Sequence, residues 1–136
     1  SIATEGLVAA IGRQVAATQA RYGVNVTATL AAEPDISLDA KEALYRIAQE
    51  SMHNTVKHAR ATNISVKLVH EPDEVRLEVE DDGQGFDPSG EFPGHLGLRS
   101  MQERARDIGG TLEIRSAPGE GTCITLRIPH RQDHAG

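Results

Sequence analysis

The order in which helical and strand-like hydrophobic patterns follow one another is the feature that most constrains this chain. Along its 136 residues the patterns run helix, strand, helix, strand, strand, helix, strand, strand. A doubly wound parallel sheet needs a regular alternation of strands and helices, which this order lacks. We therefore expect an α/β (α+β) two-layer sandwich, in which a mostly antiparallel mixed sheet is covered on one face by three helices.

The boundaries of these elements follow from periodicity and capping residues. Predicted helices cover residues 2 to about 21, 37 to about 60, and 98 to 108, and predicted strands cover 24–30, 64–69, 75–80, 111–115 and 123–128. Ser37 and Gly23 are typical of a helix N-cap and a helix C-cap. Placing the second helix at 100° per residue puts on its buried side Leu44, Ala48, Ser51, Met52, Thr55 and Ala59. We expect one domain over residues 1–129 and a flexible tail over 130–136.

Composition narrows the possible partners. With 38% hydrophobic and 25% charged residues the chain can build a core, and with 3% aromatics that core is aliphatic. Few base-stacking side chains and a formal net charge of −6 indicate no nucleic-acid partner. A single cysteine, Cys123, fits a reducing compartment. No signal peptide or membrane span is visible, so we expect a cytoplasmic fragment without membrane contact, from a longer parent that could be membrane-anchored.

Several familiar nucleotide and metal motifs are absent from the sequence. There is no phosphate-binding G-x-x-x-x-G-K-[ST] pattern. Gly83 and Gly85 could begin a dinucleotide fingerprint, but Pro88 stands where the third glycine belongs. Paired zinc-binding histidines or cysteines and a serine nucleophile elbow are also missing.

A polar stripe on the second helix is the first candidate site. It consists of Glu50, Asn54, Lys57 and His58. A carboxylate, an amide oxygen and two nitrogen donors on one face could hold a hydrated Mg²⁺ beside a polyphosphate. The same pattern is typical of the solvated face of an amphipathic helix.

Three Gly-containing segments are further candidates. Asp81, at a strand end, could accept a hydrogen bond from an exocyclic amine, although Asp-Asp-Gly also suits a tight turn. Residues 94–101 lead into a helix whose free amides could meet phosphate oxygens, or form an ordinary capped loop. Thr122 could place a hydroxyl near a base, or could be a simple strand residue.

Together these features resemble one family. E-S-M-H-N-T-V-K-H-A resembles an N box, and D-D-G-Q-G and G-H-L-G-L-R-S-M resemble two glycine boxes of the ATP-binding catalytic domain of bacterial sensor histidine kinases, a Bergerat-type fold. Three further segments resemble the nitrate-sensor and desaturase-sensor subfamily, whose response regulators have helix-turn-helix outputs. They are L-Y-R-I-A-Q-E-S, V-K-H-A-R-A and G-L-R-S-M-Q-E-R-A. The resemblance spans the chain from the first helix through Pro129.

The resemblance implies a role for each candidate residue. Asn54 would bind Mg²⁺ and Glu50 would act beside it through water, while Lys57 and His58 would contact phosphates. In the base pocket, Asp81 would accept the adenine N6 amine, Gly83 and Gly85 would shape the pocket, and Thr122 would contact adenine through water. The lid hinge and its phosphate-facing end would be formed by Gly94, His95, Gly97 and Leu98. The lid, about residues 86–96, lacks the phenylalanine-rich box of many relatives.

The resemblance also implies that this chain is only the phosphoryl donor. In the family the phosphoacceptor histidine lies on a separate dimerisation helix before an acidic residue, and none of the six histidines here fits such a helix. We therefore expect binding of Mg·ATP and transfer of the γ-phosphoryl group to a histidine of a separate dimerisation domain, with a response regulator served through the parent. Two alternatives are a stand-alone protein-serine kinase of the anti-sigma-factor type and an ATP-responsive regulatory module without turnover. Intact Glu50 and Asn54 argue against the second.

Overall fold

Five strands form one mixed sheet in the computed structural model, which describes residues 1–87 and 97–129. The helices are α1 (Ile2–Glu5), α2 (Leu7–Tyr22), α3 (Leu38–Asn54) and α4 (Leu98–Asp107), and a π-helical turn (Thr55–Ala59) follows α3. The strands are β1 (Asn25–Leu30), β2 (Asn63–His70), β3 (Glu74–Asp81), β4 (Thr111–Ser116) and β5 (Thr122–Pro129).

The strand order is β1-β2-β3-β5-β4. β1 and β2 are parallel, and the other three pairs are antiparallel. The register sets Leu68 opposite Leu77 and Leu77 opposite Leu126, so their side chains share one face of the sheet. These leucines join Leu44 and Ile47 of α3 in the buried aliphatic core. The predicted α/β two-layer architecture with a mostly antiparallel sheet is confirmed.

The first predicted helix is broken, and this part of the prediction was wrong. α1 ends before Gly6 and α2 begins at Leu7. The carboxylate of Glu33, from the loop after β1, accepts the backbone N–H groups of Leu7 (2.8 Å) and Val8 (2.9 Å). These amides would otherwise bond to the preceding helical turn, so the cap from Glu33 makes α2 start anew. The predicted C-cap at Gly23 is confirmed.

The second predicted helix changes type in its last turn. Ser37 caps α3 as predicted, since its hydroxyl accepts the N–H of Ala40 at 3.1 Å. Beyond Asn54, however, the chain widens into the π-helical turn and leaves it at Arg60, whose φ of 54° is left-handed. Such turns inside helices are frequent at functional sites. A uniform period of 3.6 residues could not show this change.

The hairpin of β2 and β3, the third helix and the last two strands are found where the sequence predicts them. The predicted tail, 130–136, and most of the lid lie outside the described residues, so the domain boundary at residue 129 stays a prediction. In the two described stretches, no helix is both long enough and apolar enough to cross a membrane.

Candidate functional site

A cleft of about 380 Å³ opens between the end of α3, the loop after β3, the start of α4 and the start of β5. We call it the main cleft. Its lining residues are Ser51, Asn54, Thr55, Lys57, His58, Arg60, Asp81, Gln84, Gly85, Phe86, Leu98, Thr122 and Ile124. The volume lies in the range of small-molecule sites.

Asp81 is the buried carboxylate of the main cleft. It is the last residue of β3 and lies on the core side of the sheet, with 9% of its surface exposed. Its Oδ1 accepts the N–H of Gly83 at 2.8 Å, and its Oδ2 accepts the hydroxyl of Thr55 at 3.0 Å. Burial raises the pKa of Asp81, although these hydrogen bonds and one from the Thr122 backbone partly oppose the rise. The site therefore holds an acceptor that binding of a donor would satisfy.

Asp82, next to Asp81, has a structural role in the loop after β3. Its carboxylate accepts the backbone N–H groups of Thr62 (2.9 Å) and Asn63 (3.0 Å), and both side chains as well. These hydrogen bonds, led by those from Asn63, hold the pKa of Asp82 well below its usual range. Asp82 thus connects the loop after β3 to the start of β2, and these bonds hold the backbone next to Asp81 in place.

The loop after β3 packs directly on the turn between β4 and β5. A Cβ at Gly85 would stand 2.8 Å from the carbonyl oxygen of Gly121 and still closer to that of Ala117. Gln84 accepts the N–H of Gly119 at 2.7 Å through its carbonyl. Only a residue without a side chain fits at position 85. The two segments form one wall of the main cleft.

A hydroxyl network supports Thr122 on that wall. The Oγ of Ser116 lies 2.8 Å from the Oγ1 of Thr122 and 3.0 Å from the carbonyl oxygen of Gly121. The Oγ of Ser116 also accepts the N–H of Phe86 at 2.9 Å. Thr122 is therefore held in place from β4, with its side chain at the edge of the cleft.

Three nitrogen-bearing side chains line the part of the main cleft that the π-helical turn contributes. Lys57, His58 and Arg60 all come from the π-helical turn and its exit. The side-chain amide of Gln84 donates to the carbonyl of His58 at 2.7 Å, so the turn is tied to the loop after β3. In a chain of net charge −6, this part of the cleft is suited to an anion.

The predicted stripe on the second helix is divided by the structure. Asn54, Lys57 and His58 line the main cleft, and the Oδ1 atom of Asn54 is shielded from solvent. Glu50 instead lines a neighbouring groove between α2 and α3. Its Oε1 lies close to Gly97, where a Cβ would stand 2.7 Å away. Glu50 therefore contacts the start of α4, beside the main cleft.

The glycine-box residues are also dispersed. Gly85 and Leu98 line the main cleft, whereas Gly83 is buried beneath Asp81 as its hydrogen-bond donor. Gly97 is the N-cap residue of α4. Gly94 and His95 lie outside the described residues.

Sequence reasoning missed seven cleft or wall residues, namely Ser51, Thr55, Arg60, Gln84, Phe86, Ser116 and Ile124. Two of them carried a signal. Ser51 and Thr55 are hydroxyl residues on a helix face that otherwise faces the core, and buried hydroxyls need a partner. Gln84 lies inside the D-D-G-Q-G segment and Phe86 directly follows it, whereas Arg60, Ser116 and Ile124 are brought to the cleft or its wall by tertiary contacts.

The chain is similar to known proteins in sequence and in structure. A family model described as histidine kinase-, DNA gyrase B-, and HSP90-like ATPase matches residues 39–132. Sensor protein VraS of Staphylococcus epidermidis is 38% identical over 89 residues, which are 65% of this chain and 26% of that protein. The signal transduction histidine-protein kinase/phosphatase DegS of Brevibacillus brevis is 39% identical over 87 residues, 64% of this chain and 22% of that protein. The chain spans about a quarter of these relatives.

Solved structures show the same fold at low sequence identity. The histidine kinase domain of the Erythrobacter litoralis EL346 blue-light activated kinase has a TM-score of 0.78 at 24% identity and covers 90% of this chain and 60% of that one. The mycobacterial sensor histidine kinase MprB has a TM-score of 0.70 at 21% identity, with 92% and 95% covered. The family predicted from the sequence is confirmed, while the nitrate-sensor subfamily stays a prediction. This chain belongs to the family of histidine kinase-, DNA gyrase B- and HSP90-like ATPases.

Proposed function

We propose that this chain is the ATP-binding catalytic domain of a sensor histidine kinase, which binds Mg·ATP and presents its γ-phosphoryl group to a histidine of a separate dimerisation domain. The observation that carries the proposal is the composition of the main cleft. A buried carboxylate, Asp81, and two nitrogen-bearing side chains, Lys57 and His58, line the same cleft. An adenine against the carboxylate and phosphates against the nitrogen-bearing side chains would satisfy both.

Asp81 would select adenine through its exocyclic amine. Both of its oxygens already accept one donor from the protein, and a carboxylate has acceptor sites left for another. Guanine carries an oxygen where adenine carries the amine, so two acceptors would face each other. Gly85 leaves room for the ring, and Thr122 would complete the contact through water.

The phosphate end would use Asn54, Lys57 and His58. Asn54 offers a neutral amide oxygen of the kind that Mg²⁺ accepts while it retains water. In the described stretches no group of three or more His, Cys, Asp or Glu side chains gathers into a metal site, which fits an ion held mainly by water and phosphate oxygens. When bound, Mg²⁺ would neutralise charge on the phosphates. Lys57 would neutralise more of that charge, and Glu50 would orient water from the α4 side.

The remaining partners belong to the parent protein. The acceptor histidine would come from the dimerisation domain, and a response regulator with a helix-turn-helix output would receive the phosphoryl group from it. We place the complex in the cytoplasm, with no nucleic acid and no membrane contact by this fragment.

Calorimetry and a transfer assay test the proposal. The chain with Mg²⁺ should bind ATP about ten- to a hundredfold more tightly than GTP, since an unpaired buried polar contact costs roughly 1–3 kcal/mol. With radiolabelled ATP alone it should gain almost no acid-labile, alkali-stable phosphate. Mixed with the parent's dimerisation domain, it should label that domain. Equal affinity for the two nucleotides, or stoichiometric labelling of a histidine in the isolated chain, would contradict us.

A further inference from the structure

We propose that Thr55 is a positioning residue for nucleotide recognition, whose hydroxyl group sets the orientation of the Asp81 carboxylate. The inference rests on the proposed function, because it assigns to Thr55 a part in reading the adenine amine. Thr55 directly follows Asn54 in the sequence.

The geometry begins with the position of Thr55 in the chain. It is the first residue of the π-helical turn, is 2% exposed, and lines the main cleft. Its Oγ1 lies 3.0 Å from Oδ2 of Asp81 and 3.0 Å from the carbonyl oxygen of Ser51. A threonine hydroxyl has one hydrogen to donate, which these two acceptors share, and it joins the end of α3 to the end of β3 in the cleft.

The orientation of a carboxylate needs two points of contact. The last torsion of an aspartate side chain is broad and has no steep preference of its own. The backbone N–H of Gly83 fixes Oδ1, and the Thr55 hydroxyl fixes Oδ2. With both in place, the plane of the carboxylate is determined and the acceptor sites left over point in fixed directions. Without the hydroxyl, the carboxylate would keep its backbone donors, Gly83 and Thr122, but would lose the side-chain donor at Oδ2, so its plane would be less constrained.

The location of Thr55 also relates the proposed base-binding and phosphate-binding parts of the cleft. Asn54 precedes Thr55, and Lys57 follows two residues later in the same π-helical turn. One short segment therefore carries the residues proposed for the phosphates and the hydroxyl that orients the base acceptor. This arrangement couples the position of the phosphate-binding residues to that of the hydroxyl beside Asp81.

The test compares two nucleotides that differ only in the amine. ATP and purine riboside triphosphate, which lacks the N6 amine, would be titrated with Mg²⁺ into the wild-type chain and into Thr55→Val, a variant of nearly the same shape. Loss of one hydrogen bond predicts a three- to tenfold weaker binding of ATP by the variant, and little change for the analogue. Thr55→Ser, which restores a hydroxyl, should restore the ATP preference.

Thr18→Val is the matched control. Thr18 is also buried in a helix, and its hydroxyl donates to the carbonyl of Gln14 at 2.8 Å, four residues back. Thr55 has the same local contact with the carbonyl of Ser51, and Thr18 is not among the residues that line the main cleft. The control should leave the ratio of the two affinities unchanged. Thr55→Ala provides a second hydroxyl-free variant if valine prevents folding.

Three outcomes would overturn the inference. Equal weakening of both nucleotides by Thr55→Val would show a general structural role, and unchanged affinity for both would show that the hydroxyl is dispensable. In both cases a wild-type preference for ATP over the analogue would leave the proposed function intact. Failure of the wild-type chain to bind ATP at all would overturn the proposed function and this inference with it.

Discussion

Gly121 lies so close to Asp81 that a Cβ on the glycine would overlap the carbonyl oxygen of the aspartate. Its φ of 75° is also left-handed. The turn between β4 and β5 therefore reaches the end of β3 without any side chain between them. The contact is with the backbone of Asp81, at the end of β3 where that strand pairs with β5.

Gly121→Ala should damage both stability and nucleotide binding. A left-handed φ costs an alanine about 1–2 kcal/mol, and the overlap with Asp81 should add about 1–3 kcal/mol. Gly119→Ala is the control, because Gly119 has a φ of 82° in the same turn and nothing within 4 Å of the added Cβ. Urea unfolding measures the difference. Equal losses for the two variants would show that the close approach does not matter.

Asp81→Asn should separate stability from binding. Burial raises the pKa of Asp81, so the native state disfavours its charge, and stability from this group is present at low pH and is lost as pH rises through the folded pKa. At pH 7 the variant should be at least as stable as the wild type, since Gly83 and Thr55 can still bond to an amide. That advantage should shrink as pH falls toward 4.

The binding measurement completes the same comparison. Affinity for ATP should fall about tenfold or more in Asp81→Asn, because the charged acceptor for the adenine amine is gone. A variant that is less stable than the wild type at pH 7, or that binds ATP as well, would contradict the assignment of Asp81.

Asn54→Ala should abolish phosphoryl transfer to the dimerisation domain. The adenine end of the cleft is unchanged in this variant, so nucleotide binding should persist. His53→Ala, at the exposed neighbouring position, is the control and should transfer normally. Calorimetry and the transfer assay are both needed. Transfer at the wild-type rate by Asn54→Ala is the result that would sink the metal assignment.

Glu33→Ala should destabilise the chain by about 0.5–2 kcal/mol, because the amides of Leu7 and Val8 lose their cap. Burial acts to raise the pKa of Glu33, but these amides and Lys41 outweigh it, and the net pKa is lowered. The contribution is therefore present above the unfolded pKa and fades as pH drops through the folded one. Unfolding at pH 7 and pH 3 measures this, with Glu103→Ala, an exposed site on α4, as control.

Arg60→Gly should stabilise the chain by about 0.5–1 kcal/mol, because a glycine accepts the left-handed conformation at the end of the π-helical turn. The same change removes a cation from the main cleft, so ATP affinity should fall. Arg46→Gly, in the middle of α3, should destabilise instead. A loss of stability in Arg60→Gly would show that its backbone carries no strain.

The sequence predicted the parts of this molecule that depend on local pattern. Alternation in β2 and β3 and the cap at Ser37 are local, and each is found in the structure. The break at Gly6 could not be predicted, since its cause is Glu33, a residue distant along the chain. Local periodicity cannot report a cap that arrives from another loop.

The candidate site divides in the same way. Asp81 and Asn54 could be chosen because their residue types and spacing carry the family pattern. The support of Asp81 by Thr55, and of Thr122 by Ser116, depends on how α3, β3 and β4 meet. The displacement of Glu50 toward Gly97 has the same origin, because helix spacing gives a direction and tertiary packing decides what lies there.

The strand order also has a kinetic consequence. The hairpins β2–β3 and β4–β5 are each local in sequence, but β3 and β5 pair across a long intervening segment. Contacts of large sequence separation close late, because the entropy of loop closure must be overcome first. Asp81 and Thr122 lie opposite each other in this β3–β5 pairing, which forms late. A partly folded chain with both hairpins formed would still lack the cleft, so nucleotide should slow unfolding without accelerating the early steps of folding.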